Sequence, residues 1–202
     1  MRVILALPLT LAAGLFVAAA CGDGEEAQPS PTATTAASAT VAATATGHPP
    51  AATETPAPFQ GGREPVEKQV TPSANVPLLA DVRAASHEGF DRVVFEFREG
   101  LPSYRVEYIQ QPIDCGSGFG SEVAGIAYVQ VRMTPAAGHD ETGTPTFGSQ
   151  EISPSLPSLV QAVQTCDFEG DLTWVIGLNA EADFRVTELG DPPRLVIDIA
   201  HP

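Results

Sequence analysis

The chain has 202 residues, room for one or two domains. It carries 25 acidic against 10 basic side chains, a net charge of −15. A surface this acidic repels phosphate polyanions and anionic membrane faces, which excludes nucleic-acid binding and direct adhesion to a charged bilayer.

Met1-Arg2, an apolar run from Val3 to Val17 and the small residues Ala18-Ala19-Ala20 describe a secretory signal peptide over residues 1–20. The run is shorter than the ~20 residues a helix needs to cross the hydrocarbon layer. Cys21 follows directly. The arrangement resembles the lipobox of bacterial lipoproteins, with Ala18 where Leu or Val is commoner. That resemblance implies a lipid on Cys21, a membrane anchored through it, and a protein facing the extracytoplasmic side. The alternative is an ordinary cleaved signal beside an incidental cysteine.

Residues 21–76 are rich in Ala, Thr, Pro and Ser, as in Pro29-Ser30-Pro31-Thr32 and Ala51-Ala52-Thr53-Glu54-Thr55-Pro56. Such a stretch offers little apolar surface to offset its ordering entropy, so it is expected to be a disordered linker. As a coil it would reach about 40 Å, enough to lift a domain off a membrane.

Residues 77–202 hold the remaining bulk, with nineteen acids against seven arginines and no lysine. A domain of this size can bury roughly two thirds of its unfolded surface and needs no metal or partner to fold. Alternation with a period of two runs through it. Leu79–Ser86 is a weak strand. In Phe90–Phe97, Val93, Phe95 and Phe97 share one face, and Arg92, Val94 and Glu96 the other. Ser103–Ile109 aligns Tyr104, Val106 and Tyr108, and Ile126–Met133 aligns Ala127, Val129, Val131 and Met133. Leu159–Asp167 is a further weak strand, although Leu156–Thr165 is also the one segment with the spacing of a short helix. Leu172, Trp174, Ile176 and Leu178 form another apolar face, Ala182–Leu189 a weak strand, and Leu195, Ile197 and Ile199 the last face. Glu88-Gly89, Glu99-Gly100, Glu169-Gly170-Asp171 and Gly190-Asp191-Pro192-Pro193 punctuate them as turns. The prediction is an all-β antiparallel sandwich of about eight short strands.

Arg92-Val93-Val94-Phe95-Glu96-Phe97 and Arg194-Leu195-Val196-Ile197-Asp198-Ile199 share one pattern, arginine and acid two pleats apart. Paired antiparallel, they would set Arg92 opposite Asp198 and Glu96 opposite Arg194, cross-strand pairs of a few tenths to about 1 kcal/mol each. Cys115 and Cys166 are the two cysteines left after Cys21. In an exported domain they read as a disulfide, the alternatives being buried thiols or half of a metal site.

The segments "HEGFDRVVFEF" (His87–Phe97), "FEGDLTWVIGL" (Phe168–Leu178) and "PPRLVIDIAHP" (Pro192–Pro202) together resemble the AMIN-like domain of exported bacterial lipoproteins. More distantly, they resemble the AMIN domain of cell-wall amidases and pilus secretins. The resemblance implies a small β-sandwich without catalytic residues, one that localises to the envelope by binding the cell wall.

The residues themselves display no nucleophile constellation. Gly116–Ser121 is glycine-rich but lacks the Gly-x-Ser-x-Gly elbow and any following helix or lysine, so it reads as a flexible loop. His87 and His139 stand beside acids without fixed ligand spacing, and no metal or other cofactor is expected. Asp167-x-Glu169-x-Asp171 could offer hard oxygens to calcium, but a solvated hairpin turn explains it as well. Asp91 and Arg92, with Tyr104 and Trp174 as stacking surfaces, form the candidate binding set for a sugar; the alternative is an intramolecular ion pair and two core aromatics, Trp174 being flanked by Leu172 and Ile176.

Three functions are weighed. The first is a non-catalytic, membrane-anchored envelope lipoprotein that binds peptidoglycan or another wall polymer. The second is an assembly lipoprotein with an envelope protein as partner, docked on a sheet edge. The third is a hydrolase, which would require two carboxylates roughly 5–9 Å apart in a cleft.

Overall fold

The structure, a computed structural model, describes residues 58–71 and 74–202. The predicted signal peptide, Cys21 and most of the predicted linker lie outside the described residues.

Ten strands appear in chain order: β1 Val66–Lys68, β2 Leu78–His87, β3 Phe90–Arg98, β4 Ser103–Ile109, β5 Ala127–Thr134, β6 Glu151–Ile152, β7 Leu159–Phe168, β8 Asp171–Leu178, β9 Phe184–Leu189 and β10 Arg194–Ala200. They form a six-stranded sheet ordered β1-β4-β5-β8-β7-β6 and a four-stranded sheet ordered β2-β3-β10-β9. Every neighbouring pair is antiparallel. The predicted all-β sandwich is therefore what the chain builds, and the eight expected strands are all present.

The alternating apolar sets meet between the two sheets. Phe95 and Phe97 of β3 and Leu195 and Ile197 of β10 face Met133 of β5 and Trp174 and Ile176 of β8, all essentially sealed from solvent. Each such side chain contributes roughly 1.5–3 kcal/mol on burial. Trp174 meets Phe95 edge-on at 5.7 Å and Phe147 at 5.8 Å.

Turn chemistry matches turn geometry. The β7–β8 hairpin turns on Glu169 and Gly170, both at positive φ (50° and 81°). Two consecutive residues in that region form the tight turn whose twist suits a hairpin. Gly89 (φ 82°) serves the β2–β3 turn.

Two elements differ from expectation. Leu156–Thr165 is not helical: Leu159 onward is strand β7, paired with β8. The apolar spacing of Leu156, Leu159, Val160 and Val163 imitates a helix because two register irregularities, after Leu159 and after Gln164, break the strand's period of two. The β-branched Val160, Val163 and Thr165 favour the strand. The second difference is β1, which falls inside the stretch read as linker. Residues 66–68 pair with Val106–Tyr104 of β4, so the expectation of disorder does not extend over them. Val66 is the one apolar residue of β1, too little to register as a pattern.

Candidate functional site

Asp91, Arg92 and Tyr104 are not brought together. Asp91 and Arg92 are successive residues of β3 and point to opposite faces, while Tyr104 belongs to β4 in the other sheet. Asp91 is fully buried. Its Oδ2 accepts the backbone N–H groups of Ser158 (2.6 Å) and Leu159 (3.0 Å), and its Oδ1 meets His201 Nε2 at 2.8 Å. Burial alone would raise its pKa. The hydrogen bonds from His201, Ser158, Leu159 and Ser86 outweigh that and hold it below the ordinary aspartate value. Its visible work is to tie β3 to the start of β7 in the opposite sheet.

Arg92 lies on the outer face and grips Asp198 with two hydrogen bonds, 2.6 and 3.0 Å. Arg185 of β9 reaches the same carboxylate at 2.5 Å. The predicted register is realised, Asp198 opposite Arg92 and Arg194 opposite Glu96. Glu96 takes its ion pair from Arg83, however, while Arg194 donates to the carbonyls of Pro192 and Gly190. Phe90 lies under Arg92 (5.2 Å) and Arg185 (5.5 Å), with His87 stacked against its ring at 5.0 Å. Tyr104 is 7% exposed, and burial followed by the neighbouring Glu188 carboxylate pushes its phenol up to about 12. All three candidates are thus engaged within the protein.

The remaining candidates also have internal partners. His139 Nδ1 meets Asp167 Oδ2 at 2.8 Å, far in the topology from His87. Asp167 also accepts the Gly138 N–H, and Asp171 pairs with Arg132 and Thr173. The three carboxylates of the hairpin therefore serve as a turn and its flanks. The glycine-rich run closes on Asp114, which accepts the Ser117 N–H at 2.8 Å.

The arrangement best formed to receive a ligand lies on the outer face of the six-stranded sheet. Residues 110–126 connect β4 to β5 without strand or helix, and they fold back across β7 and β8. Four features fix them there. Cys115 and Cys166 form the predicted disulfide, with an S–S distance of 2.06 Å. The Cys115 N–H donates to Thr165 O at 3.1 Å. The Ala124 N–H donates to Gln161 Oε1 at 2.6 Å, and the Tyr128 hydroxyl donates to Gly125 O at 2.9 Å. At Gly177 the connection passes so close that a Cβ would stand 1.9 Å from Ala124 O. Only glycine allows that approach.

Between this connection and the sheet runs a trough of about 800 Å³, lined by Gln110, Gln111, Glu122, Tyr128, Glu151 and Gln161 among others. The volume lies within the ~300–1,000 Å³ of ligand sites. A second depression of about 330 Å³ shares Gln110 and Tyr128 with it and continues past Ile126 toward Glu181. The side-chain amides of Gln110 and Gln111 present a donor and an acceptor each, suited to hydroxyl and amide groups of a ligand, and a tyrosine ring offers a flat apolar surface. Sequence reasoning missed these residues. One signal was available: a connection of this length without regular structure is uncommon unless it has work to do.

No curated protein and no solved structure matches the chain. The model of the AMIN-like domain matches residues 77–201, from just before β2 to just past β10, which is more than half of the chain, and the chain belongs to that family.

Proposed function

We propose that this chain is a non-catalytic module of the cell envelope, anchored in the membrane through a lipid on Cys21, whose sandwich binds a cell-wall polymer in the trough around Tyr128. Family membership supports an extracytoplasmic, envelope-associated role. The leader and the cysteine that follows it support the anchor. The observation that carries the ligand reading is the polar trough, held open by a disulfide-pinned connection rather than by a flexible loop.

Co-sedimentation with purified peptidoglycan at physiological salt tests it. Saturable binding is expected, weakened about tenfold or more by Tyr128→Ala; absence of saturable binding rejects the wall ligand. Detergent phase partition tests the anchor, Cys21→Ser moving the protein from the detergent to the aqueous phase.

A second reading has a specific feature in its favour. β2 is an edge strand of ten residues, and at the Leu78–Leu79 end its outer side meets Ala137 and the Thr146 hydroxyl. A partner strand could add there, giving an assembly role with an envelope protein.

A further inference from the structure

We propose that the trough is built for a polymer of amino sugars carrying free amines, recognised through Glu122 and Glu151. This rests on the wall-polymer reading and narrows it to a ligand charge.

The lining of the larger depression contains no lysine, arginine or histidine. It presents two carboxylates, Glu122 and Glu151, and the amides of Gln110 and Gln111, while the Gln161 amide is taken up by the Ala124 N–H and by Glu151. Several acids of the neighbouring strands are matched by arginines, Glu67 and Glu107 by Arg105, Asp171 by Arg132 and Glu181 by Arg63. Glu122 and Glu151 form no ion pair among the described residues. Glu151 Oε1 accepts from Gln161 Nε2 (2.6 Å) and from Ser153 Oγ (3.0 Å), which orients the carboxylate without neutralising it. Two uncompensated carboxylates in a polar depression, one of them held in place, attract a cation, and the acidic domain around them favours the cationic stretches of a polymer over its anionic ones.

The amides set the rest of the ligand's chemistry. A carboxamide matches the mixed donor and acceptor pattern of a sugar's hydroxyls. Tyr128, its hydroxyl held by Gly125 O, keeps a fixed ring beside them. Two depressions meeting at Gln110 and Tyr128 suit an extended chain of several rings rather than a single one. A basic peptide would satisfy the charge as well; main-chain pairing along a strand edge, one common mode of peptide capture, is not what the side chains of the trough offer.

The test measures binding of the full chain to three soluble probes in mildly acidic buffer at about 0.15 M salt, where long-range attraction is screened beyond ~8 Å. The probes are a glucosamine hexamer, an N-acetylglucosamine hexamer and hexalysine. The glucosamine hexamer is expected to bind saturably and at least about tenfold tighter than either other probe. Glu122→Gln with Glu151→Gln should cost about tenfold, whereas Glu88→Gln with Glu141→Gln, the same change of charge away from the trough, should stay within about twofold. Cys115→Ser with Cys166→Ser should weaken binding by loosening one wall. Equal binding of both sugar hexamers overturns the amine inference and leaves the wall-polymer reading standing. Hexalysine binding as tightly as glucosamine, or equal losses in the two glutamine pairs, reduces the effect to general attraction of polycations and overturns the proposal. If no hexamer binds while peptidoglycan still co-sediments, the trough's ligand is wrongly assigned; if neither binds, the wall reading falls with it.

Discussion

Asp198 is a carboxylate with no solvent exposure on the outer face of a sheet, and that is possible because two arginines close over it. Burial works against its charge, but the hydrogen bonds of Arg92 and Arg185 prevail and hold its pKa below the ordinary aspartate value. Asp198→Asn keeps the shape and removes the charge both guanidinium groups face. The arginine side chains remain 31% and 35% exposed. The expected loss is therefore about 2–3 kcal/mol, below the ~3–5 kcal/mol of a fully buried pair, read as a lower urea midpoint. The sign with pH follows from the direction of the shift. Asp91 and Asp198 are both depressed in the folded state. Their stabilisation is complete above the unfolded value near ~4 and disappears as pH falls through the lower native values. Acid titration of the midpoint should show a steep loss below about pH 4 that flattens in Asp198→Asn. An unchanged acid limb in that variant would remove Asp198 from the account.

At the level of elements, strands were legible and the connection that shapes the site was not. Alternation in β3, β5, β8 and β10 needs only neighbouring residues to declare itself, because successive side chains point to opposite faces. Arg92 and Asp198 could even be set opposite one another from their shared pattern. The trough could not, since Gln111, Tyr128, Glu151 and Gln161 come from four segments that meet only after residues 110–126 fold back. Asp91 and Tyr104 left two readings open for a related reason: a polar or aromatic residue at a strand start looks the same in sequence whether it faces solvent or the gap between sheets. The close passage at Gly177 makes the connection testable by itself. In Gly177→Ala the new methyl group meets Ala124 O, also held through its neighbouring N–H on Gln161, and one of them must move. Overpacking of this kind costs about 1–3 kcal/mol. Peptidoglycan binding should fall in this variant by more than the stability loss explains, while the disulfide still forms. Retention of full binding would show that the connection's position does not shape the site.

For the molecule as a whole, the decisive question is how two open sheets avoid exposing their edges. A sandwich leaves unpaired N–H and C=O groups along each outer strand, ready to pair with another chain. Residues 58–70 cover one side of this one. Gly62 exchanges two backbone hydrogen bonds with Phe184 at the start of β9 (3.0 and 2.8 Å), and β1 then joins β4 in the opposite sheet. Arg63 pairs with Glu181 and Asp183, Lys68 with Glu188, and the Val70 N–H donates to Ser103 Oγ. Phe59 lies under Arg185 at 5.0 Å and beside Phe90 at 6.1 Å. One short segment therefore staples both sheets, yet it precedes the 77–201 span that defines the family match. A fragment cut at residue 77 would leave β4 and β9 as bare edges and uncover Val66's place against the core. Compared with residues 58–202, the 77–202 fragment should unfold at lower temperature and self-associate with rising concentration by light scattering. The ion pairs alone, each with at least one exposed partner, cannot account for such a difference, because pairs of that kind contribute about 0–1 kcal/mol each. Edge pairing and the lost cover over Val106 and Phe184 must supply it. Should the shorter fragment remain monomeric and equally stable, the sandwich is closed by its own strands, and residues 58–70 are a passenger laid along its side.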